Sequence, residues 1–184
     1  MNEQNDLKLE RTLDAVSRVA RDARVLIVPG GGRFADAVRD ADRRVGLLDE
    51  AAHWMAVLAM DQYAYLLASR IPGAVVTESP GEIADAFGAR RLPVLAPSRW
   101  LRTADPLPHT WDVTSDSIAA WVAGALGALQ LVLIKPPGAM GTSLTDPWFE
   151  RVITPGLEVT IVAADQLEAA DLRAASIRLR ATVR

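Results

Sequence analysis

RVLIVPGGGRFADAVRDADRRVGLL, residues 24–48, is the stretch whose reading decides the fold. The apolar run Val25–Val28 ends at Pro29 and three consecutive glycines, Gly30, Gly31 and Gly32, and a helical pattern follows at once. Apolar residues that stop at a Pro-Gly turn read as a short buried strand over Arg24–Val28. From Phe34 to about Val45, Asp36, Asp40 and Arg43 fall on an outward face, the signature of an amphipathic helix. Glycines at a strand-to-helix junction let the backbone approach a ligand closely and turn N–H groups toward an anion. A tight strand-to-helix connection without a ligand is the alternative reading of the same glycines. The stretch is neither a Walker loop, which needs a Lys-Ser/Thr pair after its glycines, nor the G-x-G-x-x-G dinucleotide turn. Arg33 reads either as a charged clamp beside the glycines or as a solvated residue at the helix start.

Working outward, Asp6–Ala23 has Leu7, Leu9, Leu13, Val16, Val19 and Ala20 at helical spacing and reads as a first helix. Leu48–Ser69 reads as a long helix that stops at Ile71-Pro72-Gly73. Ala74–Val76 and Leu92–Ala96 are expected strands, with a short helix over Ser79–Phe87 between them. Pro97–Pro108 reads as an irregular loop with one helical turn. A helix is expected over Thr114–Ala128, strands over Leu131–Lys135 and Glu158–Ala163, and a last helical stretch over Gln166–Ser176. Strands alternating with helices imply a three-layer α/β/α sandwich around a mostly parallel sheet, in one domain spanning 1–184. Ligands bind such sheets outside the carboxyl ends of the strands. Three distinctive turns leave those ends: Gly30-Gly31-Gly32, Thr114-Ser115-Asp116-Ser117 and Lys135-Pro136-Pro137-Gly138. They are expected to converge on one crevice.

Composition narrows the classes. The chain has no cysteine, so disulfides and Cys-based metal or redox sites are excluded, and a reducing cytoplasm suits it. Twenty Lys and Arg against 23 Asp and Glu give a formal charge of −3. There is no basic tract of the kind that nucleic-acid binding requires. The first ten residues are polar and charged and do not read as a secretory signal. Ser117–Ile134 carries no charge, but Gly124 and Gly127 divide it into a helix and a buried strand, which is not the pattern of a membrane span.

Each chemical candidate has a structural counterpart reading. Asp116 sits where a helix begins, and capping by Thr114, Ser115 or Asp116 accounts for those residues as well as catalysis does. Lys135 ends a buried strand; it reads either as a snorkelling lysine or as a point charge for a transferring phosphoryl group. His53, beside Trp54 and Met55, reads as a packed, hydrogen-bonded residue, and His109 as a loop residue. Met55, Met60, Trp54 and Tyr63 read as helix packing, with a subunit interface as the alternative. No cluster has the spacing of a protein metal cage.

Taken together, VLIVPGGGRFADAVR (25–39), AAHWMAVLAMDQYAYLLA (51–68), VTSDSIAAWVA (113–123) and LVLIKPPG (131–138) resemble the amino acid kinase superfamily. They are most similar to its small branch containing the aminomethylfuranyl-methyl phosphate kinase of methanofuran biosynthesis. The resemblance spans about residues 10–165. It implies in-line phosphoryl transfer from Mg-ATP to a small phosphorylated or carboxylated metabolite, in the biosynthesis of a C1-carrier cofactor. Carried over residue by residue, Gly30, Gly31 and Gly32, with Arg33 and Ser115 beside them, would hold the acceptor or the transferring phosphate. Asp116 would orient the reacting groups as a catalytic residue with Lys135. Lys135, Pro136 and Gly138 lie where the family places its nucleotide. Family members open with a strand and a Lys-x-Gly-Gly-Ser loop that has no counterpart after Met1, and an Asp-x-Asp-Gly pattern and a Gly-Thr close are also missing. Either the start lies upstream of Met1 or the chain is a noncatalytic pseudokinase that binds ligand or serves a partner enzyme. The sheet edge left open implies a homodimer.

Overall fold

The computed structural model describes residues 3–139, 144–165 and 167. Eleven elements follow in order: α1 (Glu3–Val19), α2 (Gly32–Val45), α3 (Asp49–Arg70), β1 (Ala74–Thr77), α4 (Pro80–Gly88), β2 (Leu92–Leu95), α5 (Ser98–Ala104), α6 (Ser115–Ala125), β3 (Gln130–Lys135), α7 (Phe149–Val152) and β4 (Glu158–Ala163). The helical stretch expected over Gln166–Ser176 lies, apart from Leu167, outside the described residues.

Both strand pairs are parallel. β1 pairs with β2 from Ala74↔Leu92 to Thr77↔Leu95, and β3 with β4 from Gln130↔Glu158 to Lys135↔Ala163. The expected strand at Arg24–Val28 is reduced to one parallel bridge, Ile27↔Val94. Its bonds alternate as a parallel ladder requires: Ile27 N–H donates to the Pro93 carbonyl at 3.0 Å, and Leu95 N–H donates to the Ile27 carbonyl at 2.8 Å. The next rung toward Val25 would need an N–H from Pro93, which proline lacks. The ladder therefore stops after one residue.

Side-chain alternation survives there, and it sets the layers. Val25 and Ile27 pack with Val132 and Ile134 against Ala15, Val16 and Val19 of α1. Val28, Leu131 and Leu133 pack on the other side with Ala119 and Ala120 of α6 and Phe149 of α7. In β2, Leu92 and Val94 join α1 and α3 in one cluster, while Leu95 joins α4, α5 and α6 in another. α3 is long enough to serve both: Val57 and Met60 belong to the second cluster, Ala64 and Leu67 to the first. Helices thus cover both faces of the strands.

The irregular loop expected between Pro97 and Pro108 contains a full helix, α5. Its start is tied to α3 by Ser98 N–H, which donates to Asp61 Oδ1 at 3.0 Å. Burial raises the Asp61 pKa above the usual carboxylate value, and the Ser98 hydrogen bonds oppose that shift. Among the described residues no helix is long and apolar enough to cross a membrane.

Candidate functional site

The glycine turn is built against two other elements. A Cβ on Gly30 would lie 3.3 Å from Ser115 Oγ, so this turn and the start of α6 touch. Gly32 has φ +50 and faces the Tyr63 ring of α3, which a Cβ would meet at 3.0 Å. Gly31 is the N-cap of α2 and leaves no room beside Ala35, whose Cβ would be 2.4 Å away. Glycine is required here by close packing as well as by backbone conformation.

The start of α6 is organised by a residue to which sequence reasoning gave no role. The Asp146 carboxylate, 9% exposed, accepts from Thr114 N–H at 2.9 Å, Thr114 Oγ1 at 2.8 Å, Ser117 N–H at 3.0 Å, Ser117 Oγ at 2.5 Å and its neighbour Trp148 N–H at 3.1 Å. Thr114 is the N-cap, its hydroxyl accepting from Asp116 N–H at 3.5 Å. The capping is thus done by Thr114 and Asp146, and the Asp116 carboxylate is left for another partner. That partner is Lys135: its Nζ donates to Asp116 Oδ2 at 2.6 Å, with the two side chains 15% and 14% exposed. Lys135 is drawn into this junction and does not snorkel to water. After it, Gly138 N–H donates to Asp165 Oδ1 at 3.2 Å, and the Pro136 carbonyl accepts from Ala139 N–H.

An open cleft of about 580 Å³, mouth included, lies against the glycine turn. Gly31, Thr114 and Ser115 line it, as do Ala52, His53, Ala56 and Met60 of α3. Arg33, which is exposed, and Asp116, Lys135, Pro136 and Gly138 do not line it. Trp111 forms one wall. Its indole N–H donates to Asp42 Oδ2 of α2 at 2.8 Å, and the Arg39 guanidinium stands 5.3 Å from its ring centre. His53 stacks on His109 at 4.3 Å, and His109 Nε2 lies 2.8 Å from Asp105 Oδ1. His53 is packed by ring contacts, and among the described residues its side chain lacks the hydrogen bond that its sequence context suggested. Burial, then the neighbouring His109, lowers its pKa to about 4 against the opposing pull of Asp105. Among the described residues no three His, Asp or Glu side chains gather to hold a metal ion.

A glycine turn, a carboxylate at the start of α6 and a lysine at the end of β3 come together in this layered fold. Residues 1–136 match the profile of the Amino acid kinase family. The chain belongs to that family. Over 110 residues this amino acid kinase family member is 26% identical to (5-(aminomethyl)furan-3-yl)methyl phosphate kinase of Methanocaldococcus jannaschii, covering 60% of this chain and 50% of that one. Its fold is similar to the crystal structure of uridylate kinase from Archaeoglobus fulgidus, with a TM-score of 0.54 and 22% identity over 74% of this chain and 58% of the other. This family member therefore spans about half the length of its curated relative and less than two thirds of uridylate kinase.

Proposed function

We propose that the chain carries the site of an ATP-dependent phosphotransferase acting on a small phosphorylated or carboxylated metabolite in the biosynthesis of a methanofuran- or tetrahydromethanopterin-type C1 carrier. The observation that carries this reading is the junction of Gly30 with Ser115 and of Asp116 with Lys135, which links the glycine turn, the start of α6 and the end of β3; the Thr114–Ser117 turn follows α5 and a loop, not the strand end expected of it. Mg-ATP, as substrate, supplies the phosphoryl group. Magnesium accompanying nucleotide phosphates needs only one or two protein carboxylates; Asp116 would supply one, and the Lys135 ammonium would face the phosphates, not the metal. In this reading the N–H groups at the start of α2 hold the acceptor's anionic end. Lys135 neutralises charge that develops on the transferring group, and Asp116 holds that lysine in place and orients the reacting atoms.

A second reading, a noncatalytic relative that binds ligand or scaffolds a partner enzyme, is favoured by one feature. The backbone groups of Leu26 and Val28, which face away from β2, have no hydrogen-bond partner among the described residues. Thermal unfolding with and without Mg-ATP separates the two. Saturation at 100 times the dissociation constant stabilises by about 2.7 kcal/mol. That raises the midpoint of a domain this size by roughly 5–10 °C. A shift of that order, with substrate-dependent ADP release that Asp116→Asn abolishes, supports the kinase. No shift and no turnover support the scaffold.

A further inference from the structure

We infer that Asp146 is a positioning residue of the transfer site: its carboxylate sets how the first turn of α6 sits, and through that turn it holds Asp116 on Lys135. This inference deepens the proposed reading, from which it takes the roles of Asp116 and Lys135; the bonds it rests on stand without that reading.

The start of α6 does not cap itself. The Thr114 hydroxyl accepts from Asp116 N–H only at 3.5 Å, the far limit of a hydrogen bond, while it donates to Asp146 Oδ2 at 2.8 Å. The same oxygen accepts from Thr114 N–H and Ser117 N–H, and Oδ1 accepts from the Ser117 hydroxyl. A carboxylate from outside the helix thus does the work of a side-chain cap, and it sits where the helix dipole favours negative charge. Asp146 Oδ1 also accepts from Trp148 N–H just ahead of α7, whose Phe149 packs on Ala119 and Ala120 of α6. Asp146 is therefore buried and joined to the starts of two helices.

Thr114 and Ser117, three apart, share one side of the turn, while Ser115 and Asp116 between them point elsewhere. Ser115 Oγ lies 3.3 Å from where a Cβ on Gly30 would be, and Asp116 Oδ2 accepts from Lys135 Nζ at 2.6 Å. Pinning the first pair fixes the second. Lys135 and Asp146 also bound the segment that leaves β3, so both ends of that segment are tied to one helical turn. In Asp146→Ala the N–H and hydroxyl of Ser117, a residue 0% exposed, have no acceptor. They regain one only if the turn frays or rotates, and either movement takes Asp116 off Lys135.

Lysine acylation tests this, because Lys8, in α1, and Lys135 are the only lysines of the chain. A carboxylate partner keeps an amine charged and covered, and an acylating reagent needs it free. The 184-residue chain and its variants are treated with N-hydroxysuccinimidyl acetate well below their melting temperatures, and peptide mass spectrometry reads the rate at each lysine. Lys135 is expected to react at least tenfold faster in Asp116→Asn than in the wild type. Asp146→Ala is expected to come within threefold of Asp116→Asn, and Asp146→Asn to fall between it and the wild type because one carbonyl acceptor remains. The double variant Asp116→Asn/Asp146→Ala is expected to be no faster than Asp116→Asn, since both substitutions act on one bond. Lys8 is expected to react equally in all of them. A wild-type rate at Lys135 in Asp146→Ala, beside a lowered melting temperature, overturns the inference and leaves Asp146 with a structural role alone; a wild-type rate in Asp116→Asn overturns it too. If Asp146→Ala does not fold, Asp146→Asn decides: a rate at least threefold above the wild type supports the inference, and a wild-type rate overturns it. Labelling needs neither nucleotide nor acceptor, so a wild-type chain without ADP release overturns the phosphotransferase reading and not this one.

Discussion

Lys135 Nζ donates to Asp116 Oδ2 at 2.6 Å, and that bond ties the carboxyl end of β3 to the first turn of α6. The pair is mostly shielded from water, so removing one partner strands the other in a poorly solvated place. Asp116→Asn and Lys135→Met are each expected to lower phosphoryl transfer by about 100-fold or more, the scale of one lost electrostatic group at a reacting centre. The double variant is expected to be little worse than either single one, because the two act as a unit. Steady-state ADP release for the three variants, with urea unfolding as a folding control, checks both statements. Losses that multiply would separate the two roles.

Asp146 holds the start of α6 from a position 29 to 32 residues downstream, through bonds to Thr114 and Ser117. Asp146→Ala leaves the Ser117 N–H and hydroxyl buried without an acceptor. Hydrogen bonds to a charged group contribute about 1.5–3 kcal/mol each, and they do not add in full. A loss of about 3 kcal/mol is therefore expected in urea denaturation, with Asp146→Asn intermediate because it keeps one carbonyl acceptor. A loss below about 1 kcal/mol for Asp146→Ala would show that water replaces the carboxylate.

The glycine turn is expected to tolerate alanine differently at adjacent positions. Gly31→Ala drives a methyl into Ala35, in contact with the helix it caps, and a shift of the turn would disturb the N–H groups at the start of α2. Gly32→Ala meets the flat face of a tyrosine ring and adds the strain of a positive φ. Both are expected to destabilise the fold by roughly 1–3 kcal/mol. Only Gly31→Ala is expected to recover when paired with Ala35→Gly, which removes the clashing Cβ. A melting-temperature cycle over the singles and doubles reads this out.

What was legible in the chain was what depends on neighbours in sequence. The strand Glu158–Ala163 and the long helix ending at Ile71-Pro72-Gly73 were carried by periodicity and by turn residues. The strand at Arg24–Val28 was equally clear in pattern, yet a strand exists only through its partners, and Pro93, far along the chain, withholds the N–H that the second rung needs. α5 was hidden because Pro97, Pro106 and Pro108 make its surroundings read as loop, although Pro97 is well placed just before a helix. The glycine turn and Lys135 were visible as residue types at strand ends, and Ser115 and Asp116 as residue types at a helix start. Asp146 and the stacking of His53 on His109 were not, because each joins residues distant in sequence with no local signature.

The outer face of α3 and the residue before it display Leu48, Met55, Leu58 and Tyr65, 80%, 38%, 41% and 59% exposed. Met60, read with Met55 as one packing group, is buried on the opposite side. An apolar stripe of this length on one helix suits a symmetric contact between copies. Light scattering after size exclusion is expected to give a dimer at micromolar concentration, and Leu58→Glu a folded monomer. A monomeric wild-type chain would rule out this surface as a self-association site.

His53 makes the fold sensitive to acid in a defined window. Its pKa falls from 6.5 to about 4 on folding, so between those values the unfolded chain binds a proton that the folded one does not. Stability from this group is therefore complete above about pH 6.5 and is lost as pH falls toward 4. The groups around it are His109 and Asp105 from the loop after α5, Asp49 one turn earlier on α3, and Arg102 of α5, whose guanidinium lies 4.5 Å from the Trp54 ring. Asp61 acts with the opposite sign: its raised pKa lets the folded chain keep a proton longer, so its contribution falls as pH rises through that value. His53→Phe keeps a ring to stack on His109 and removes the titration. Melting temperatures of the wild type and His53→Phe from pH 7.5 to 4.5 are expected to diverge below pH 6.5, the wild type falling more steeply. Parallel curves would mean that protonated His53 is accommodated without cost, by a ring flip toward Asp105 or by opening of the loop that carries His109.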